Sequence, residues 1–398
     1  MSGDWDVAVV GAGPAGATTA YLLARQGHRV ALLDRQHFPR PKACAEYLSP
    51  GVRRVLEDIG LETQVLRGAR QVSGMDVISP SGKILRLSYS QSGRAECAAS
   101  LPRHTFDEAL VRAAVDAGAQ LHEGFVAHAV MRDDGRVRGV MGSTSGRSMQ
   151  FRAPVTVVAD GHRSTTSRSL GMARVPRWPF RMGLVAHAEG VALDGSYGQM
   201  HVTREGYCGI APLPGGLFNV AMVVPVSALK RSRLSVASFF DAWIARHERL
   251  HAVLSGARLV SPVRGVAPIG SRASHASAPG ALLVGDAAGF FDPFTGEGIY
   301  RALRGAQLAA ETAEIVLSVP DIVDFSMYDR LRTREFRRKS AVTALVQVFV
   351  QHPAALDYAI SRLRRREAAL STLANVLGDV EDAGQFLHPS MLWSALRP

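Results

Sequence analysis

The first part of the chain alternates short apolar runs with one helical repeat. Residues 6–10 (DVAVV) and 29–34 (RVALLD) are apolar runs, and between them residues 15–27 carry apolar positions at helical spacing. Short apolar runs predict buried strands, and Gly27 is placed where it would end the intervening helix. The pattern therefore predicts a parallel β-α-β unit at the start of the chain.

The pattern changes further along the chain. Residues 104–117 have helical periodicity and lead into strand-like segments between about 120 and 158. Alternating apolar and polar stretches within 171–279 predict antiparallel strands, and the apolar run 281–286 returns to the style of the first two strands. Beyond about residue 325 the spacing is helical, so a helical C-terminal region is expected.

The composition is typical of a folded enzyme. Hydrophobic residues make up 47% of the 398 residues and charged residues 20%, a balance that excludes a disordered or fibrous chain. The formal net charge is +11, yet the basic residues are spread along the chain without a helix-turn-helix or zinc-finger pattern. We therefore expect no nucleic-acid partner.

Cysteine use and the apolar runs bear on the location of the protein. The three cysteines, Cys44, Cys97 and Cys208, include no CxxC pair, which argues against a disulfide framework and against a zinc site. The N-terminal residues lack the features of a signal peptide, and no apolar run reaches the ~20 residues that span a bilayer. We therefore expect a cytoplasmic protein.

Two basic runs, at 332–339 and 362–366, flank the apolar stretch 341–350 near the C-terminus. This combination would suit peripheral contact of the C-terminal helices with an anionic membrane. The alternative, which the pattern favours, is a solvated basic face over a packed helix. The sequence says nothing about the oligomeric state.

A glycine-rich turn joins the first predicted strand to the first helix. It reads Gly11-Ala12-Gly13-Pro14-Ala15-Gly16, and Asp34 ends the next predicted strand. Glycines at these positions allow a tight turn and a close approach of backbone to a pyrophosphate, which the helix N-terminus also attracts. A carboxylate at the position of Asp34 can bind a ribose hydroxyl. The spacing is typical of a Rossmann-type dinucleotide site.

Two further segments resemble one family of flavoproteins. The run from Arg103 to Leu110 resembles the Arg-x-x-Phe-Asp-x-x-Leu segment of the glutathione-reductase-type flavoproteins, which include aromatic hydroxylases and geranylgeranyl reductases. The segment Leu283–Gly289, with the run Pro293–Ile299 after it, resembles the second FAD-binding motif of the same family. Asp160 and Gly161 resemble its Asp-Gly motif, which supports the cofactor. The resemblance implies FAD, with Arg103 as a fixed positive charge beside it.

The same resemblance implies the roles of the remaining residues around the cofactor. Asp286 would bind a ribityl hydroxyl, and the glycines that open the next helix would aim N–H groups at the flavin ring. No second glycine-rich fingerprint is present, so NAD(P)H is expected only as a transient electron donor. The residues expected to bind FAD are Gly11, Gly13, Ala15, Gly16, Asp34, Arg35, Cys44, Arg103, Asp160, Asp286, Gly296, Gly298 and Ile299.

These patterns together predict an α/β protein with a Rossmann-type FAD-binding domain, an inserted antiparallel-sheet substrate domain and a helical C-terminal region. A chain of 398 residues exceeds the usual size of one core, so several lobes are expected. The expected boundaries are 1–75, 100–170 and 280–325 for the discontinuous FAD-binding domain, 76–99 and 171–279 for the substrate domain, and 326–398 for the helical region.

Residues 39–51, rich in proline and small residues, predict an ordered loop that carries Cys44. The sequence Lys42-Ala43-Cys44 resembles the Lys-x-Cys-Gly stretch of geranylgeranyl reductases, with Ala45 in place of the glycine. That resemblance makes Cys44 a candidate catalytic residue over the flavin, and the alternative is a small thiol packed beside the cofactor.

A second departure from the reductases lies in residues 207–212. Prenyl-chain reductases carry a Tyr-x-Trp-x-Phe-Pro stretch, whereas this chain has Tyr207, Gly209, Ala211 and Pro212 at the corresponding positions. Loss of two large aromatic side chains should reshape the pocket. Tyr207 is the second candidate catalytic residue.

The sequence leaves the reaction open. The altered stretch slightly favours a monooxygenase that hydroxylates a phenolic lipid, polyketide or similar metabolite through a flavin hydroperoxide. The alternative is a geranylgeranyl-reductase-type enzyme that reduces C=C bonds of an isoprenoid lipid, with Cys44 or Tyr207 as proton donor. A flavin-binding module without catalytic activity is a distant third reading. Each of the two enzyme readings implies a hydrophobic small-molecule substrate.

Overall fold

The computed structural model describes residues 5–91, 93–174, 180–319 and 324–396. The strands in the first part of the chain are β1 (Val7–Val10), β2 (Val30–Asp34), β3 (Tyr47–Leu48), β4 (Arg70–Val72), β5 (Gly74–Ile78), β6 (Ile84–Gln91), β7 (Arg94–Glu96), β8 (Ala98–Ser100), β9 (Gln120–Glu123), β10 (Phe125–Asp133), β11 (Arg136–Thr144), β12 (Arg147–Arg152) and β13 (Val155–Val158). Those that follow are β14 (Ala173–Arg174), β15 (Arg181–Glu189), β16 (Tyr197–Val202), β17 (Tyr207–Pro212), β18 (Phe218–Pro225), β19 (Arg258–Leu259), β20 (Arg264–Val266), β21 (Ser271–Ala273), β22 (Ser277–Ala278), β23 (Ala281–Leu283) and β24 (Gly289–Phe290).

The α-helices are distributed along the whole described chain and end in a helical C-terminal region. They are α1 (Pro14–Arg25), α2 (Pro50–Asp58), α3 (Glu62–Val65), α4 (Arg103–Asp116), α5 (Thr165–Ser169), α6 (Val226–Ser232), α7 (Val236–Ala245), α8 (Glu248–Leu254), α9 (Gly298–Ser318), α10 (Ser326–Gln351), α11 (Pro353–Leu363), α12 (Glu367–Leu377), α13 (Ala383–Leu387) and α14 (Pro389–Leu396).

A six-stranded sheet forms the first layer, in the order β22-β23-β13-β1-β2-β9. Its neighbours pair in parallel except at the β22 edge, and β1 lies between β13 and β2, so that Val7 is opposite both Val155 and Val30. Consecutive β1, α1 and β2 form the predicted parallel unit, and the expected α/β class with a Rossmann-type domain is confirmed. The strand order reverses on the two sides of β1, which places a crevice at the carboxyl end of that strand.

A second, larger sheet runs in the order β19-β15-β18-β17-β16-β5-β6-β7, with β20 also paired to β15. Neighbouring strands are antiparallel except for the parallel pair of β16 with β5. One face of this sheet packs against α7 and α8 through an apolar cluster that includes Leu184, Ile210 and Trp243. The opposite face packs against the C-terminal helices through a cluster that includes Tyr207, Val342 and Ile360.

Three smaller three-stranded sheets complete the fold: β10-β11-β12, β3-β8-β4 and β14-β21-β24. Two segments differ from the sequence prediction. The apolar run 281–286 is a strand only over Ala281–Leu283, because a 3-10 turn at Gly285–Ala287 bends the chain toward the crevice. The stretch 39–51, predicted as a loop, contains β3 and the start of α2, because Tyr47 and Leu48 pair with β8.

Candidate active site

A cavity of about 580 Å³ lies between the carboxyl ends of the parallel strands and the second sheet. Most of the residues predicted to bind the cofactor line it, and so does Tyr207. Those in the cavity wall are Gly11, Gly13, Ala15, Asp34, Arg35, Cys44, Arg103, Asp160, Asp286, Gly296, Gly298 and Ile299. Gly16 does not line the cavity. The two motifs that are distant in sequence therefore meet at one site.

The glycines of the first turn have different roles. A Cβ at Gly16 would lie 1.8 Å from the Gly11 carbonyl oxygen, and one at Gly11 would lie 2.4 Å from the Ala159 carbonyl oxygen. At those two positions a side chain would collide with the protein's own backbone, so both glycines are required for the turn itself. A Cβ at Gly13 would meet only Arg40, at 3.6 Å, so this position opens into the cavity. Because Gly13 has no side chain, it leaves room for a bound pyrophosphate.

Asp34 holds the turn in place. Its buried carboxylate accepts hydrogen bonds of 2.8 Å from the N–H groups of Ala12 and Gln36. Arg40 lies 3.9 Å from the same carboxylate and 3.4 Å from Asp107. Each carboxylate oxygen keeps a lone pair, so Asp34 can both fix the glycine turn and accept from a ribose hydroxyl.

Buried polar atoms of the wall indicate that FAD fits the cavity. Asp160 Oδ1, His162 Nε2 and Arg40 Nε are buried without a hydrogen-bond partner among the described residues. A buried polar group without a partner is costly, and a bound polar ligand supplies one. The other oxygen of Asp160 accepts from the Thr166 N–H at 3.2 Å. Gly296, in the left-handed region at φ +70°, and Gly298 bring backbone to the opposite side, at the start of α9.

Arg103 is buried and paired rather than free. Its guanidinium makes two hydrogen bonds to Asp107, of 2.8 and 2.9 Å. Burial opposes the charged form, but the charge of Asp107 and its hydrogen bonds raise the pKa of Arg103 above its ordinary value. The predicted fixed positive charge is therefore present, and Asp107 offsets much of it. Cys44 lies in the same cavity wall as Arg103.

Cys44 is held by its neighbours on both sides. Its sulfur accepts from the Glu46 N–H at 3.4 Å, and its carbonyl accepts from Asn219 Nδ2 at 2.9 Å. Glu46 has φ +57°, which is unusual for a side-chain-bearing residue and is maintained only where contacts over-determine it. Its carboxylate accepts from the Arg103 N–H and from Asn219, both at 2.9 Å, and lies 2.6 Å from His187 Nε2.

The second sheet supplies the apolar wall through alternation along β17. Tyr207 and Ala211 belong to the cluster on the cavity side, whereas Cys208 and Ile210 belong to the cluster on the other face. Gly209 therefore faces the cavity, where the prenyl reductases carry tryptophan. A Cβ at Gly209 would lie 3.2 Å from the methyl group of Met200, so Met200 occupies part of that space.

The Tyr207 hydroxyl lies in a buried polar network. It donates to Asp292 Oδ1 at 2.5 Å, and the same oxygen accepts from Gln347 Nε2 at 2.8 Å. Arg181 lies 3.0 Å from the other oxygen of Asp292. Burial, together with the charge of Asp292, raises the pKa of Tyr207 well above its ordinary value, and burial raises that of Asp292. Tyr207, predicted as a candidate catalytic residue, thus lines the cavity, and its hydroxyl proton is held in a hydrogen bond to Asp292.

Sequence reasoning missed several residues of the site. Tyr47 lines the cavity, and its hydroxyl lies 2.8 Å from that of Tyr89. Glu46, His187 and Asn219 support the Cys44 loop from two elements that are far apart in the chain. The sequence signal for Glu46 and Tyr47 was their position two and three residues after Cys44. Asn219 and His187 had no such signal, because only the folded sheet brings them to the loop.

Some residues of the basic C-terminal runs are buried or paired within the protein. Lys339 is buried and bonded to the Val376 carbonyl and Asp379, and Arg338 pairs with Asp382 at 3.0 Å. Within the described ranges, no helix has the length and apolar character that a membrane crossing requires. The same residues contain no cluster of side chains suited to a metal ion.

Comparisons with known proteins agree with this site. Residues 4–315 match the model of the FAD binding domain family. Digeranylgeranylglycerophospholipid reductase 2 of Methanopyrus kandleri is 31% identical over 333 residues, covering 80% of this chain and 79% of that protein. FAD is therefore the cofactor, and the protein is a flavin-dependent oxidoreductase.

Two solved structures show the same fold. A geranylgeranyl bacteriochlorophyll reductase-like protein from Thermoplasma acidophilum has a TM-score of 0.80 at 24% identity, covering 96% of this chain and 99% of that one. The flavin-dependent brominase Bmp2 has a TM-score of 0.82 at 21% identity, covering 94% of each chain. On the family match and the sequence relatives, the chain belongs to the geranylgeranyl reductase family of FAD-dependent oxidoreductases.

Proposed function

We propose that this flavoprotein reduces a C=C bond of an isoprenoid-type lipid. The observation that carries the proposal is the placement of Cys44, which lies in the wall of the cofactor cavity together with Arg103. Addition of hydrogen to an alkene needs a proton donor at the reacting carbon, and a positioned thiol meets that need. The relatives named as digeranylgeranylglycerophospholipid reductases support the same reaction.

The residues of the chain have separate tasks in this reaction. Bound FAD, once reduced, supplies the hydride equivalent that the alkene accepts. The apolar side chains of Met200, Val223 and Ile269 would hold the lipid and exclude water. Cys44 would give its proton to the second alkene carbon, and the Arg103 guanidinium would stabilise the thiolate that results. Transfer of a hydride and a proton balances the saturation of one double bond.

Hydroxylation is the second candidate, and one observation favours it. Gly209 lines the cavity and Ala211 lies on the same face of β17, at positions where the prenyl reductases carry large aromatic side chains, so the wall is shaped differently from a prenyl tunnel. A monooxygenase would use the same cavity to orient an electron-rich ring and exclude water. No protein proton donor would be obligatory for that chemistry, and Cys44 would then be a packing residue.

One experiment separates the two candidates. The FAD-loaded protein is reduced chemically without oxygen and incubated with a panel of prenyl and phenolic lipids in deuterated water. Reduction predicts a product that has gained two hydrogen atoms, both of them deuterium, because the N–H of reduced flavin and the thiol both exchange with the solvent. Parallel incubation with NAD(P)H and isotopically labelled oxygen tests hydroxylation: label in the product of a phenolic lipid, together with no anaerobic product, would overturn the reductase proposal. A purified protein that binds no FAD would contradict both.

A further inference from the structure

A second cavity, of about 220 Å³, lies behind the Cys44 loop. It shares Pro41, Lys42, Ala43 and Val185 with the cofactor cavity, so the two spaces adjoin at this loop. The volume is many times what a single water molecule needs. The lining residues that this cavity does not share with the cofactor cavity have no part in the reaction proposed above.

The walls of this cavity carry cationic and imidazole side chains. Strand pairing sets Arg264 directly opposite Val185 in an antiparallel pair, so both side chains emerge on the cavity face of the sheet. His187 follows Val185 by two residues and emerges on that face as well. Exposed His104, at the start of α4, also lines this cavity. Lys42 lies on the wall between the two cavities, and its Nζ is directed toward Gly161 of the cofactor cavity.

The charges of this cavity do not balance internally. Its one carboxylate, Glu46, already accepts from the Arg103 N–H and from Asn219 and pairs with His187. Lys42 and Arg264 make no hydrogen bond or ion pair with any residue that the structure describes. A guanidinium without a partner in a concave space attracts an oxyanion and can bind it through two hydrogen bonds, so Arg264 is the residue on which the charge argument depends.

We propose that this second cavity binds a phosphate group, with Arg264 as its principal ligand and Lys42 at the boundary with the cofactor cavity. Two sources share this chemistry: a phosphorylated lipid substrate and the phosphates of a nicotinamide dinucleotide. Assignment to the lipid rests on the proposed reduction, whereas the phosphate site itself stands on the cavity and its cations. A phosphate held here would place the attached chain next to the Cys44 loop.

The test uses the FAD-loaded protein and calorimetric titration with inorganic pyrophosphate. We expect the wild type to bind, and Arg264→Gln to weaken binding roughly ten- to hundred-fold through loss of charge-assisted hydrogen bonds. Arg264→Lys keeps the positive charge but cannot form the paired hydrogen bonds of a guanidinium, so it should weaken binding to an intermediate degree. The matched control is Arg258→Gln, because Arg258 is on the same sheet but exposed and paired with Glu189. It should bind as the wild type does.

Further arms identify the source of the phosphate. Weakened binding of geranylgeranyl diphosphate by Arg264→Gln, with geranylgeraniol unaffected, assigns the site to the substrate, and weakened binding of NADPH assigns it to the electron donor. Absence of pyrophosphate binding to the wild type, or equal binding to the wild type and Arg264→Gln, would overturn the site. The readout is binding, so a protein that binds phosphate through Arg264 but saturates no alkene would refute the proposed function and leave the site intact.

Discussion

Tyr207 donates a 2.5 Å hydrogen bond to Asp292, and both residues are buried at the junction of β17, the second cofactor motif and α10. Asp292 has three further donors, in Gln347, Arg181 and the Phe294 N–H. The arrangement couples the floor of the substrate cavity to a helix of the C-terminal region. The hydrogen bond of the Tyr207 hydroxyl therefore contributes to the stability of the fold, independently of any part in catalysis.

Replacement of Tyr207 by phenylalanine tests that contribution. We expect Tyr207→Phe to lower the free energy of unfolding by about 1–2 kcal/mol, because a buried carboxylate loses one donor and keeps the others. Asp292→Ala should cost about 3 kcal/mol, since it leaves the largely buried Arg181 without its carboxylate partner. Urea denaturation of the FAD-loaded proteins measures both values. Equal stability of Tyr207→Phe and the wild type would show that the hydrogen bond contributes nothing net.

Cys44 and Cys208 form a matched pair for testing the proton donor. Cys44 lines the cofactor cavity, whereas Cys208 lies on the opposite face of the second sheet, where burial raises the pKa of its thiol. We expect Cys44→Ala to lower the rate of alkene reduction by at least about a hundred-fold, the usual loss when a positioned acid is removed. Cys208→Ala should keep the rate. Both variants should retain FAD, as judged by flavin absorbance, and unchanged turnover in Cys44→Ala would make Cys44 a packing residue.

The three glycines of the first turn predict three different outcomes. A side chain at Gly13 would enter the cavity, so Gly13→Val should fold and yet lose the yellow FAD chromophore. At Gly16 even a Cβ meets the Gly11 carbonyl oxygen, so Gly16→Val should fail to fold or unfold at a much lower temperature. Asp286→Ala should fold and bind FAD more weakly. Circular dichroism separates folding from FAD content, and full FAD occupancy in Gly13→Val would mean that the cofactor lies elsewhere.

The parts of the site that the sequence predicted are those coded by neighbouring residues. The turn at Gly11 and Gly13 and the acid at the end of β2 belong to one β-α-β unit, so local spacing is enough to locate them. Asp286 was located through the resemblance of Leu283–Gly289 to the second FAD-binding motif, and it lies in the turn that follows β23. Local patterns of this kind define the FAD cavity and little of the substrate wall.

The remainder of the site depends on contacts between distant elements. His187 and Asn219 lie 141 and 173 positions from Glu46, their partner, and no spacing rule connects them. Tyr47 enters the cavity because β3 pairs with β8, in a stretch that the sequence presents as a loop. The shape of the space near Gly209 likewise depends on Met200 of the adjacent strand, so the missing aromatic could be predicted but the side chain that fills its place could not.

Peripheral membrane contact of the C-terminal helices stays a prediction. Lys339 and Arg338 are engaged within the protein, whereas Arg364, Arg365 and the largely exposed Trp393 are available for such a contact, as are exposed Arg334 and Arg337 of the first basic run. We expect cosedimentation with phosphatidylserine vesicles at low salt and its loss at high salt, because the attraction is electrostatic. Replacement of Arg364 and Arg365 by glutamine should weaken it. Absence of cosedimentation at low salt would identify the basic face as merely solvated.

The stability of the protein should fall as the pH drops below neutrality, and His201 is one cause. Burial, with a smaller contribution from the charge of Arg249, lowers the pKa of His201 to about 4, and its Nε2 lies 2.7 Å from Gln199 Oε1. Between pH 6.5 and pH 4 the unfolded chain binds a proton at this residue and the folded chain does not, so acidification favours unfolding. From pH 6.5 to pH 5 the loss amounts to about 2 kcal/mol.

Urea denaturation at these two pH values measures the effect. His201→Gln removes the titrating group, so its stability should fall by about 2 kcal/mol less than that of the wild type over this interval. His275→Gln is the control, because His275 is exposed and makes no hydrogen bond with the described residues. It should behave as the wild type does. An identical fall in His201→Gln and the wild type would mean that His201 takes up its proton equally well in the folded protein.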